Sequence, residues 1–181
     1  MLTTRRKLIK QFLYVSAGFA LVPACIQGPK GKAARFLKDL NIADDKELLL
    51  ETIVDFLIPA TNTPGAKEME AHLFALTMID DCYKKEDQEK FISGLNQFDA
   101  ACTKLVGHSF AEASKEQKAT FIKSLNQSKE NPTEVDFFYS NLKRLTIQAY
   151  TSSQFFLTKV KVYEMVPGRF HGCVPVKQNL N

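Results

Sequence analysis

Cysteine, histidine and paired carboxylates are the side chains that could carry chemistry in this sequence, and their spacing decides which chemistry is open to them. The histidines His72, His108 and His171 lie far apart, and none has a second histidine one helical turn away. A two-histidine metal site therefore needs the tertiary fold to assemble it, and each reads as a surface or packing residue. Asp80-Asp81 could serve acid–base chemistry, but neighbours on a helix point in different directions. Beside Lys84 and Lys85 they read as a solvated helix end. Of the four cysteines, Cys25 stands apart at the end of an apolar run, leaving Cys82, Cys102 and Cys173. Cys82 falls at a turn and Cys102 about 15 residues into the next helix, roughly 23 Å away at 1.5 Å per residue. A disulfide needs Cα atoms within about 7 Å. Any bridge would sooner involve Cys173, and free buried thiols are the default expectation. No Cys-x-x-Cys-His, phosphate-cradling loop, Gly-x-Ser-x-Gly or dinucleotide glycine motif is present. The expectation is a chain with no catalytic, cofactor-binding or metal-binding residues.

The N-terminus reads as an address. Thr4-Arg5-Arg6-Lys7-Leu8-Ile9-Lys10 precedes an apolar stretch of thirteen residues, Phe12 to Ala24. Crossing a bilayer takes about 20 residues, so the stretch fits a removable signal better than an anchor. Arg5 and Arg6 before it resemble a twin-arginine signal, which exports proteins already folded. Leu21-Val22-Pro23-Ala24-Cys25 resembles a bacterial lipobox, with Pro23 off the pattern. The reading is lipidation at Cys25, tethering a periplasmic protein to the membrane; ordinary cleavage close by is the alternative.

The formal charge of +4 comes from that address. Arg5, Arg6, Lys7 and Lys10 precede Cys25 with no acidic residue beside them; without them 20 basic residues face 20 acidic ones. A neutral mature chain lacks the positive surplus that nucleic-acid binding requires. Lys30, Lys32, Arg35 and Lys38 form a residual basic cluster, read as a solvated helix face, or as a contact with anionic lipid.

These residues must be positioned by helices. The organisation read from the chain is 1–24 signal, 25–43 lipobox cysteine and linker, and 44–181 a helical domain. A short helix is expected around Ala33–Leu40. Asp44 and Asp45 open a helix to Ile58 with Leu48, Leu49, Ile53, Phe56 and Leu57 as its stripe, ended by Pro59. Pro59-Ala60-Thr61-Asn62-Thr63-Pro64-Gly65 must be a loop. A helix over Ala66–Tyr83 carries Met69, Leu73, Leu76, Ile79 and Tyr83 on one face. After the charged turn Lys84–Asp87, Phe91, Leu95, Phe98, Cys102 and Leu105 recur at four, three, four and three residues, until Gly107. Ser114-Lys115-Glu116-Gln117 is a capping box for a helix burying Phe121, Ile122 and Leu125. Beyond Asn131-Pro132, Val135, Phe138, Leu142, Leu145 and Ala149 stay in register. Thr151-Ser152-Ser153 interrupts, and a last helix turns Phe156, Val160 and Tyr163 inward. From Val166 the chain is rich in Pro and Gly and not helical. No window alternates like a strand. The fold class is all-α: an irregular multi-helix bundle with Pro/Gly-rich loops and a non-helical C-terminal tail.

Three stretches carry a family resemblance. They are Ile53 to Ala66, containing the Pro-x-Thr-x-Thr-Pro-Gly loop; Phe91-Ile92-Ser93-Gly94-Leu95 with Gly107 and Phe110; and Leu145-Thr146 with Tyr150 to Ser153, leading to Tyr163-Glu164-Met165-Val166-Pro167-Gly168-Arg169-Phe170-His171-Gly172-Cys173. From about Leu48 to Pro175 the chain resembles the gluconate 2-dehydrogenase subunit 3 family, with Asn62 where the family often has Asp. The resemblance implies a non-catalytic small subunit that supports export and assembly of a separate flavoprotein of the glucose–methanol–choline type. That partner would hold the FAD and oxidise a sugar or sugar acid, with a cytochrome c subunit as a further partner. The partner-binding residues expected here are Val166, Pro167, Gly168, Arg169 and Phe170, in an apolar tail that either docks on the flavoprotein or folds back over its own helices. A free-standing periplasmic helical lipoprotein, or an enzyme whose site assembles only in three dimensions, are the competing readings.

Overall fold

The computed structural model describes residues 32–33, 37–127, 132–161, 168 and 173. Five α-helices follow in order: α1 Asp44–Leu57, α2 Ala71–Cys82, α3 Lys85–Val106, α4 Lys115–Gln127 and α5 Glu134–Thr151, then a π-helical turn, Phe156–Val160. The described residues contain no strand, as the helical periodicity requires.

Local signals set the boundaries. Gly107 ends α3 in the left-handed conformation, φ 83°, with its N–H on the Thr103 carbonyl at 2.9 Å, a backbone that glycine adopts without steric cost. The Ser114 box forms: the Ser114 N–H reaches Gln117 Oε1 at 2.8 Å, and the Gln117 N–H reaches Ser114 Oγ at 3.3 Å. A second box, not anticipated because Asp stands at its third position, opens α5. There Thr133 N–H donates to Asp136 Oδ2 at 2.8 Å and Asp136 N–H to Thr133 Oγ1 at 3.2 Å. Thr151 ends α5 as expected, and Ser153 Oγ accepts from the Phe156 N–H at 3.2 Å.

The core is built around α5, which packs against all four other α-helices and the π-helical turn. Its buried face is broad: Val135, Phe138, Tyr139, Leu142, Leu145 and Thr146. The most extensive contact is with α3 and depends on Gly94, where a Cβ would lie 2.1 Å from the Glu134 carbonyl oxygen and 2.6 Å from Phe138 Cβ. Phenylalanines fill the centre. Phe98 on α3 meets Phe110, Phe121 and Phe138 at centroid distances of 5.2, 5.1 and 5.4 Å, all edge-on. That geometry suits the ring quadrupole.

Four expectations need correction. The helix predicted from Ala66 starts at Ala71, because Ala66–Glu70 forms turns and Glu70 takes φ 50°. Ala66 and Ala71 are both fully buried. Five residues apart on one helix they would face about 140° away from each other; the left-handed residue re-aims the chain so that both face inward. Leu48, Leu105 and Val160 are exposed at 61, 53 and 56%. Leu50 and Val54 take the buried places on α1 instead, since the broad apolar stripe is rotated relative to the face first read. Of the helix expected over Ala33–Leu40, residues 34–36 lie outside the described residues, and Leu37–Leu40 is irregular, with the Leu37 N–H on Ala33 O at 3.2 Å. The fourth concerns the thiols: only Cys102 is buried, whereas Cys82 and Cys173 are exposed, and all three are free.

Candidate functional site

Two buried carboxylates capture the segment that leads into the helical body. Glu47 on α1 accepts the backbone N–H groups of Lys32 and Ala33, each at 3.1 Å. Asp80 near the end of α2 accepts those of Lys38, Asp39 and Leu40 at 2.6, 3.1 and 2.9 Å. Asp80 is therefore no solvated helix end: it is buried, and only Asp81 is exposed, paired with Lys38 Nζ at 2.7 Å. Burial opposes the Asp80 charge, but the amides of Lys38, Leu40 and Asp39 together outweigh it and lower its pKa. Irregular backbone needs such acceptors, because its N–H groups have no helical partners.

Two members of the basic cluster have acidic partners. Lys32 pairs with Glu70 at 2.5 Å and Lys38 with Asp81, on separate parts of α2 and its entry. Hydrogen bonding to Glu70 raises the Lys32 pKa and lowers that of Glu70. Lys30 and Arg35 lie outside the described residues.

Glu47 also belongs to a second arrangement. Glu47 and Glu51 are one turn apart on α1 and share a face. Opposite them on α2 is His72, 1% exposed. Its Nε2 stands 3.7 Å from Glu51 Oε1 and 3.9 Å from Glu47 Oε1, beyond hydrogen-bonding distance, and neither ring nitrogen has a partner among the described residues. Burial lowers the His72 pKa, against the opposing pull of Glu51 and Glu47. Lys67 approaches the outer oxygen of Glu51, Oε2, at 3.3 Å. A cavity of about 440 Å³ adjoins Glu51 and His72, bordered also by Lys32, Asp55, Lys67 and Glu70. His72 is thus a buried residue, in keeping with a packing role, but its imidazole is orphaned; His108 is at the surface.

Two further features sit on the helical body. The Pro59–Gly65 loop closes on itself: the Ala66 N–H donates to Ile58 O at 2.9 Å and the Thr61 N–H to Thr63 O at 3.0 Å. A Cβ at Gly65 would come 2.6 Å from the Ala60 nitrogen, so the closure admits only glycine. An apolar groove of about 550 Å³ lies between α3, α4 and the start of α5, with exposed Leu105 on its rim and Phe121 at its base.

The sequence-predicted site residues Arg5, Arg6, Cys25, Val166, Pro167, Arg169 and Phe170 lie outside the described residues; Gly168 is exposed with open space around its Cα. The Glu47–Glu51–His72 cluster escaped sequence reading. Its one signal is the i, i+4 pair Glu47 and Glu51, and nothing local connects the pair to a histidine on the next helix. Among the described residues, no helix is long and apolar enough to cross a membrane.

No curated protein and no solved structure matches the chain. The family model described as gluconate 2-dehydrogenase subunit 3 matches residues 44–168, from the first residue of α1 through the π-helical turn and into the tail. A match over more than two thirds of the chain, on an all-helical body in which the Pro-x-Thr-x-Thr-Pro-Gly loop is closed by its own backbone, places this chain in the gluconate 2-dehydrogenase subunit 3 family.

Proposed function

We infer that this chain is the non-catalytic small subunit of a membrane-associated, FAD-dependent sugar or sugar-acid dehydrogenase. Its role is to support export and assembly of the flavoprotein subunit, itself of the glucose–methanol–choline type. The family match over residues 44–168 carries the reading. The paired Arg5 and Arg6 ahead of a short apolar run support the export role. Cys25 would supply a lipid anchor, a cytochrome c subunit would receive the electrons, and the FAD would sit in the flavoprotein. The helical body fits an assembly role: buried Asp80, Glu47 and Gln88 hold its own backbone in place.

The test is an Arg5→Lys, Arg6→Lys double substitution in cells carrying the whole dehydrogenase. Both this chain and the flavoprotein should remain in the cytoplasm, and periplasmic dehydrogenase activity should be lost. Undiminished periplasmic activity would refute the carrier role. Wild-type periplasmic protein that fails to co-purify with any flavoprotein would favour a free-standing lipoprotein.

A further inference from the structure

We propose that Glu47, Glu51 and His72 form a structural site for one divalent transition-metal ion, with Zn²⁺ the best-fitting member of the class. This departs from the expectation that the chain holds no metal, and it does not depend on the dehydrogenase reading.

An acidic pair alone would not make a site, but His72 supplies an independent observation. A buried polar side chain almost always has a hydrogen-bond partner, yet His72 is 1% exposed and both its ring nitrogens have none among the described residues. Its Nε2 points between two carboxylate oxygens that belong to successive turns of α1, and the three ligand atoms all lie within 4.8 Å of one another. Four-coordinate zinc, with bonds of about 2.0–2.1 Å, holds its ligands roughly 3.3–3.4 Å apart. The observed 3.7 and 3.9 Å distances need only a few tenths of an ångström of contraction. Glu51, the half-buried member, has the freedom to supply it.

The donor set selects the ion. One imidazole nitrogen with two carboxylates suits zinc and its neighbours, whereas calcium and magnesium favour all-oxygen shells. Two ionised carboxylates and a neutral imidazole also balance a divalent charge. Like charges at i, i+4 repel, and Lys67 offsets part of that repulsion on the outer oxygen of Glu51 while leaving Oε1 free. The adjoining cavity gives access to a fourth ligand from solvent.

Glu47 shows what the ion would do. Its carboxylate accepts the amides of Lys32 and Ala33, and hydrogen bonds of this kind orient a metal-bound carboxylate. A bound ion would join α1 to α2 and hold in place the segment that enters the body from the Cys25 side. It is therefore a staple, with no substrate access required.

The experiment uses the full mature chain, purified on a tag without histidines, stripped with a chelator and titrated with ZnCl₂. Calorimetry should show one Zn²⁺ per chain, and the thermal midpoint followed by circular dichroism should rise by about 5–10 °C at a hundredfold excess over Kd. Co²⁺ in place of Zn²⁺ should give the visible bands of a four-coordinate ion. Glu51→Gln, at a half-buried position, should fold with a metal-free midpoint close to wild type, yet bind Zn²⁺ at least tenfold more weakly and lose the thermal rise. His72→Gln should lose the rise as well. The proposal is overturned if Zn²⁺ leaves the wild-type midpoint unchanged, or if Glu51→Gln binds as tightly as wild type, which would place the ion on the exposed cysteines or His108.

Discussion

Asp80 shows how one side chain can hold a segment with no regular structure of its own. Its two oxygens receive three consecutive backbone amides, Lys38 to Leu40, and hydrogen bonds to a charged acceptor are each worth about 1.5–3 kcal/mol net. Asp80→Asn removes the charge and turns an amide donor toward the same N–H groups. We expect a loss of about 1.5–3 kcal/mol in urea unfolding at neutral pH. The pH dependence has a definite sign. Asp80 has a lowered pKa in the folded state, so the unfolded chain binds the proton more readily and stability rises with pH. Its contribution is complete above the ordinary value of 3.8 and is lost as pH falls through the lowered folded value. Wild type and Asp80→Asn should accordingly converge in strong acid; parallel curves there would deny the role. A second outcome concerns thiols. Burial, with the Asp99 charge next, pushes Cys102 up to about 11, whereas Cys82 is exposed. Since the thiolate is the reacting form, an alkylating reagent under mildly alkaline native conditions should label Cys82 and spare Cys102. Equal labelling, read by peptide mass spectrometry, would show that the α3 core opens readily.

At the scale of elements, the α3–α5 contact governs the bundle, and Gly94 sets its distance. A methyl group there meets a backbone carbonyl of α5 at 2.1 Å, and a carbonyl on a packed helix cannot swing aside as a flexible side chain would. Gly94→Ala should thus cost about 3 kcal/mol, the upper end of the overpacking range, despite the higher helix propensity of alanine. A chemical-denaturation midpoint at or above wild type would contradict the close approach. The α2–α3 turn is secured differently. Gln88 on α3 is buried and donates to the carbonyls of Ile79, Asp80 and Tyr83 at 3.1, 2.8 and 3.2 Å. The two N–H groups of one side chain are thereby shared among three carbonyls at the C-terminal end of α2, of which that of Ile79 also accepts the Tyr83 N–H.

On the scale of the whole molecule, the phenylalanine cluster and the α5 hub lie among residues 44–160, and the proposed attachments fall on either side: a lipid at Cys25 and a partner at Val166–Phe170. Truncation after Met165 separates the functions of body and tail. If the tail docks on the flavoprotein, the shortened chain keeps its helical circular dichroism and fails to co-purify with the dehydrogenase. Loss of the helical signal would assign the tail to the chain's own core, and undiminished co-purification would make it dispensable.

The linear chain by itself determined the helix order, the stop at Pro59, the left-handed end at Gly107, the Ser114 box, the restart at Pro132 and the family. Those features act over three or four residues, the reach of a helical turn and its caps, or are carried by short motifs such as the Pro-x-Thr-x-Thr-Pro-Gly loop. Tertiary structure alone decided which part of each broad apolar stripe is buried, and so why Leu50 and Val54 replace Leu48. It also decided that Asp80 faces inward, because the amides it accepts lie 40 to 42 residues earlier. The meeting of His72 with Glu47 and Glu51 is of the same kind. A periodicity of 3.6 residues says which side chains share a face, but not what the neighbouring helix presents to that face, and the turn at Glu70 that aims α2 depends on burying Ala66 and Ala71 together.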